Sequence, residues 1–250
     1  MSYRALLLVL VAATAAAAEL TILEEDSPAH LTGLGNEALV DGRYEIAASL
    51  YRRALEQDAD YVTARFNLGL AYQRLDDLVA AKTAYEAVLE RRGDHAPALA
   101  NLGWLAWKRG DHDAAALHYG EAVRTAASPR NQAEYAFSLG SVREAQGRSQ
   151  DARRAYDQAL AAWGDHVGAR FNLGSLLLAQ AEGNPATLAL AREHLERAVA
   201  IDSSQVDAWL NLAICRERQG DDTAALAYDQ AVTCAVGTHA ARAYWRRALW

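Results

Sequence analysis

Seven histidines and two cysteines are the side chains of this 250-residue chain best suited to metal binding or nucleophilic chemistry. Three of the histidines sit in a recurring Gly-Asp-His, at Gly93-Asp94-His95, Gly110-Asp111-His112 and Gly164-Asp165-His166; the others are His30, His118, His194 and His239. A zinc site needs its ligands within one coordination sphere, and these are scattered along the chain. The tripeptides fall where turns are expected, and there glycine and aspartate do turn and helix-capping work. No glycine-rich phosphate loop, serine elbow or cysteine-histidine arrangement accompanies them. Catalysis therefore has no constellation to run on: no catalytic residue, metal or cofactor is predicted, and an enzyme is the remote alternative. Cys215 and Cys234 fall on partner helices displaced by about two turns, roughly 10 Å by helix rise. That is too far for an unstrained disulfide, so buried free thiols are expected.

A second polar set recurs more regularly. Asn67, Asn101, Ser138, Asn172 and Asn211 each stand two residues before Gly69, Gly103, Gly140, Gly174 and Ala213. A carboxamide is both donor and acceptor, so a row of them can grip the backbone of an extended peptide without choosing its side chains.

The elements that must carry this row are legible in the stretch Ala64 to Leu89. Ala64, Leu68, Ala71 and Tyr72 are spaced as one face of an amphipathic helix, Leu75 to Asp77 interrupts it, and Ala81, Ala84, Tyr85, Val88 and Leu89 resume it. The unit is two helices joined by a short turn. One such hairpin cannot bury its apolar stripe alone, and stacked neighbours supply the missing core. Gly35, Gly69 and Gly103 recur every 34 residues, which marks the chain as a repeat array.

The pattern resembles the tetratricopeptide repeat family. Unit position 20 reads Ala47, Ala81, Ala115, Ala152, Ala191 and Ala224; position 24 reads Tyr51, Tyr85, Tyr119, Tyr156, Leu195 and Tyr228; the turn glycine at position 15 is Gly42, Gly110, Gly147 and Gly220. Asp76 replaces that glycine in the second unit, and the family's proline at position 32 is missing, with Gly93 and Gly164 expected there as left-handed helix caps. The resemblance implies an all-α fold, a right-handed α-solenoid of six helix-turn-helix repeats over residues 28–238, with units starting near 28, 62, 96, 133, 167 and 206. The third unit carries three extra residues near Ser128 to Gln132, and the fifth carries five around Ala181 to Pro185, with Asn184 and Pro185 starting the next helix.

In this family, position 6 faces the concave groove. The resemblance thus places Asn67, Asn101, Asn172 and Asn211 in a peptide-binding groove, similar to the asparagine ladder of the O-linked N-acetylglucosamine transferase repeats. Asparagine is also simply common at that position. Phe66, Leu70, Trp104, Trp107, Phe137 and Phe171, at neighbouring positions, are the apolar part of the same groove, and aromatics of this kind are typical binding anchors. The cationic clamp by which co-chaperone repeats hold a terminal carboxylate is missing: the matching places hold Thr32, Asn36, Asn67, Pro97 and Asn101.

Residues 1–18, with Arg4, the apolar run Ala5 to Val11 and small residues at Ala16 to Ala18, read as a cleaved signal peptide. A largely apolar run of fourteen residues is too short for a comfortable membrane span. An acidic lead-in, 19–27, precedes the array, and 239–250 is expected to be a C-terminal capping helix, with Trp245, Leu249 and Trp250 free to meet a partner or a second copy. The formal charge of −7 disfavours nucleic acid and anionic lipid. The expectation is a periplasmic or secreted, non-enzymatic scaffold for a protein or peptide partner, with no membrane insertion once the leader is removed. The alternative is a self-associating component of an envelope assembly, a homo-oligomer joined through the C-terminal segment.

Overall fold

A computed structural model describes residues 27–235. The expected leader, most of the acidic lead-in, the end of the sixth unit and the expected capping helix lie outside the described residues. Twelve helices are found among the described residues, and no strand. In chain order they are α1 (Pro28–Val40), α2 (Tyr44–Gln57), α3 (Val62–Arg74), α4 (Leu78–Arg91), α5 (Ala96–Lys108), α6 (His112–Thr125), α7 (Pro129–Ala145), α8 (Ser149–Ala162), α9 (Val167–Gln180), α10 (Pro185–Ile201), α11 (Val206–Arg218) and α12 (Ala224–Cys234). Compactness divides the chain between Leu105 and Ala106, inside α5. Within each part consecutive helices pair as helix-turn-helix hairpins, and the second helix of one hairpin packs on the first helix of the next, as at α2 with α3 and α8 with α9.

Local chemistry sets the hairpins. Asp77 Oδ1 accepts the Ala80 N–H at 3.0 Å and Asp111 Oδ1 the Ala114 N–H at 3.1 Å, satisfying donors that the first turns of α4 and α6 would otherwise leave open. The tight turn within each hairpin needs one left-handed residue. Gly42, Gly110, Gly147 and Gly220 supply it with φ between 67° and 76°, and Asp76 takes the same conformation at φ 59°. Aspartate tolerates this region better than most side chains.

The glycines at position 8 are a packing device. A Cβ on Gly69 would lie 2.5 Å from Tyr85 Cε1, and one on Gly140 would lie 2.4 Å from Tyr156 Cε1. The tyrosine rings occupy the space that a side chain would need, and Tyr51, Tyr85 and Tyr156 are completely buried. In the fifth hairpin the floor is Leu195, whose Cγ lies 2.7 Å from the corresponding point above Gly174.

One expectation is corrected. Gly93 and Gly164 are not left-handed; α4 and α8 end at extended residues, Arg92 (φ −139°) and Trp163 (φ −143°), and the glycines follow in an open turn. The three extra residues of the third unit are helical. Ser128 caps a helix that starts at Pro129, so they become an added first turn of the 17-residue α7. Asn184 does cap the long α10, accepting from Ala186 N and Thr187 N, with Pro185 in its first turn.

Candidate functional site

The position-6 residues lie on the first helices, and their hydrogen bonds follow from what stands beneath them. In the first part of the chain, Asn36 Oδ1 accepts from the Tyr51 hydroxyl at 2.8 Å and from Asn67 Nδ2 at 2.7 Å. The Tyr85 hydroxyl donates to Gln73 Oε1 at 2.9 Å and is also hydrogen-bonded to Asn101. In the second part, Tyr119 pairs with Ser138, and Asn172 Nδ2 donates to the Tyr156 hydroxyl at 3.1 Å, which itself donates to Glu144 Oε2 at 2.8 Å. Where Leu195 leaves no hydroxyl, Asn211 Nδ2 donates to Ser175 Oγ at 2.8 Å.

These tyrosines were not among the residues singled out from the sequence, although their regular recurrence at position 24 was visible. Burial pushes the Tyr51 phenol up to about 12. The same cause holds Tyr85 and Tyr156 well above the usual tyrosine value, against the lowering effect of the asparagine hydrogen bonds. They remain neutral and able to donate at any physiological pH. The result is a set of half-buried carboxamides of fixed orientation. The amide nitrogens of Asn67, Asn172 and Asn211 are committed inside the protein, while their carbonyl oxygens take no hydrogen bond among the described residues. Chemically, these oxygens accept N–H donors, Asn67 in the first part of the chain and Asn172 and Asn211 in the second.

The apolar residues divide. Phe66, Leu70 and Trp104 are half-buried against the cluster of Tyr85, Val88, Leu102 and Leu105, and Phe137 and Phe171 are half-buried against the core of the second part. Trp107 is 37% exposed, its ring stacked on His112 with centroids 5.0 Å apart.

The Gly-Asp-His tripeptides have separate duties. Among the described residues no group of three or more histidine, cysteine or acidic side chains could hold a metal ion. At the turn within the third hairpin, Asp111 is the cap, as its sequence suggests. At the two turns between hairpins the cap is the histidine and not the aspartate: His95 Nδ1 accepts the Ala98 N–H at 3.2 Å and His166 Nδ1 the Ala169 N–H at 3.1 Å. Each ring also lies against an aromatic of the preceding hairpin, Phe66 at 5.0 Å and Phe137 at 4.8 Å. Both cysteines are free. Cys215 is buried, which pushes its thiol up to about 11, whereas Cys234 is only half-buried and donates to the Ser203 carbonyl at 3.2 Å. Among the described residues no helix is long and apolar enough to cross a membrane.

Comparison with known proteins gives the fold its context. Family models described as tetratricopeptide repeat match residues 60–128, and 137–186 with 188–236, and one described as TPR repeat matches 35–76. No curated protein matches the sequence. Among solved structures, that from a functional characterization of Pseudomonas aeruginosa pilF is 19% identical with a TM-score of 0.75, covering 89% of this chain and 98% of that one. PilW, described as a widely conserved type IV pilus biogenesis factor, is 18% identical with a TM-score of 0.68, covering 87% and 98%. YrrB, described as a TPR protein with an unusual peptide-binding site, is 18% identical with a TM-score of 0.64, covering 79% and 99%. At these identities the likeness is one of fold.

Proposed function

This chain belongs to the tetratricopeptide-repeat family, whose scaffolds bind protein or peptide partners and are generally non-enzymatic, and on that premise we propose that it holds an extended segment of a partner protein along the first helices of its hairpins. One observation carries the proposal: one amide N–H each of Asn67, in the first part of the chain, and of Asn172 and Asn211, in the second, is held internally, which fixes these carboxamides with their carbonyl oxygens open to a donor. An extended peptide carries a regular series of backbone N–H groups that such acceptors fit, whatever its side chains. Trp107, the most exposed of the aromatic candidates, is the anchor. An aromatic in that role contributes about 2 kcal/mol or more.

The leader-like residues 1–18 and the likeness in fold to PilW, a type IV pilus biogenesis factor, support a periplasmic or secreted scaffold in an envelope assembly. Binding to an array of unrelated twelve-residue peptides tests the mode. Peptides of differing sequence should bind, backbone N-methylation should abolish binding, and Trp107→Ala should weaken it with helicity intact. Binding indifferent to N-methylation and to Asn67→Ala or Asn172→Ala would overturn the reading. Fractionation tests the location: the exported chain should begin at Glu19 and be free of membrane.

A further inference from the structure

We propose that His95 and His166 are acid-sensitive joints between consecutive hairpins. Each caps the first helix that follows it, α5 or α9, through Nδ1. The first helices α1 and α7 are capped by the hydroxyls of Ser27 and Ser128, and α3 and α11 by no side chain at all. Among the described first helices, these two therefore rely on an imidazole, an acceptor that protonation removes.

An imidazole accepts through Nδ1 only while it is neutral, with its proton on Nε2. A proton arriving at Nδ1 sets N–H against N–H and puts a cation at the positive end of the helix dipole. The surroundings differ at the two joints. His95 faces Phe66, and its charged neighbours are Arg92 and Asp94, which lie 3.9 Å from each other. His166 is 6% exposed, with Phe137 at 4.8 Å and the edge of Trp163 at 5.3 Å. Its Nε2 lies 3.4 Å from Glu134 Oε2 without a hydrogen bond, on the side where the neutral ring already carries its proton. The other charges around it are engaged: Asp165 with Arg197 at 2.7 Å, Arg170 with the Gly164 carbonyl at 3.0 Å, and Arg130 over the Trp163 ring at 4.7 Å.

Burial, and then the Arg92 charge, hold the His95 imidazole below the usual histidine value. The folded form thus binds fewer protons than the unfolded chain. The stability contributed by this cap is complete above about pH 6.5 and declines as the pH falls through that value toward the folded one. The first joint lies between Asn67 and Asn101 and the second between Ser138 and Asn172, so uncapping loosens the spacing of the carboxamide row. The device does not depend on what the row binds.

Amide hydrogen exchange on the full chain at about pH 7.5 and about pH 5, corrected for intrinsic rates, tests this. Protection at Ala98 and Ala169 should fall about tenfold in acid, the equilibrium factor for losing one helix cap. Ala80 and Ala114, capped by Asp77 and Asp111, should not change, because a carboxyl oxygen can still accept where a protonated imidazole nitrogen cannot. A double variant with His95→Asn and His166→Asn keeps an acceptor that does not titrate, and its protection should be the same at both pH values. Unchanged wild-type protection at Ala98 and Ala169 would overturn the proposal, as would an equal loss at Ala80 and Ala114 or an acid response that survives in the double variant. Should that variant fail to fold, the wild-type contrast among the four amides decides alone.

Discussion

The fourth and fifth hairpins solve the same packing problem with different chemistry. Beneath Gly140 lies Tyr156, whose hydroxyl continues past the core to hold both Asn172 and Glu144; beneath Gly174 lies Leu195, which fills the gap and stops. Asn211, deprived of a phenol, turns to Ser175. The pair separates two roles that the tyrosine combines elsewhere. The glycine is required for close approach in either case, whereas the hydroxyl decides only which partner orients the next carboxamide.

The comparison is tested hardest at the glycines. Gly140→Ala puts a Cβ within 2.4 Å of a rigid, fully buried ring and should cost about 1–3 kcal/mol by overpacking. Gly174→Ala meets the branched end of Leu195, which can change rotamer, and should cost less. Urea denaturation of both variants measures the difference, and equal losses would mean that ring rigidity is not what the glycine serves. Tyr156→Phe keeps the ring and deletes the tie. With Asn172 and Glu144 each losing a partner, about 1.5 kcal/mol should disappear, visible as a lower melting temperature without loss of helicity.

How far this was legible in the sequence follows from the range of each interaction. The hairpins, the glycine-over-tyrosine floor and the left-handed turns repeat within one 34-residue period, so Gly69 and Tyr85 could be matched unit by unit. Even the exception at Asp76 announces itself by standing where glycine belongs. The hydrogen bonds of the candidate site were not legible. Asn67 reaches back 31 residues to Asn36, and Asn211 reaches 36 back to Ser175. Periodicity assigns a side chain to a face, but not its partner in the neighbouring hairpin. The histidine caps were hidden differently: in Gly-Asp-His both Asp94 and His95 can accept, and only the backbone path from α4 into α5 decides which ring or carboxylate meets the Ala98 N–H.

Smaller effects sharpen the same contrast. Asn172→Ala and Asn211→Ala should each lower stability by about 0.5–1 kcal/mol, one neutral hydrogen bond apiece. In a double-mutant cycle, Asn172→Ala should couple to Tyr156→Phe and Asn211→Ala should not. Alkali offers the gentlest probe. Because the Tyr156 phenol is raised by burial, its contribution to folding is complete below the unfolded value near pH 10 and is lost as the pH climbs above it. Melting temperatures taken from about pH 9 to about pH 11 should therefore fall less steeply in Tyr156→Phe than in wild type. Identical slopes would show that this ring carries no part of the alkaline response.

The carboxamide ties between hairpins share a direction, unlike the ionic tie of Arg192, which donates forward to Gln219 and Asp221. Asn67 donates back to Asn36, Asn172 to Tyr156, Asn211 to Ser175 and Arg218 to the Leu178 carbonyl, each time from a later residue to an acceptor already present upstream. A chain that emerges N-terminus first, from a ribosome or through an export channel, can therefore complete each hairpin on arrival, because the acceptor is in place before the donor appears. With the ties between hairpins spanning about one repeat, little loop-closure entropy delays any step. Growth can keep pace with delivery, leaving only the most recent hairpin unpartnered at any moment.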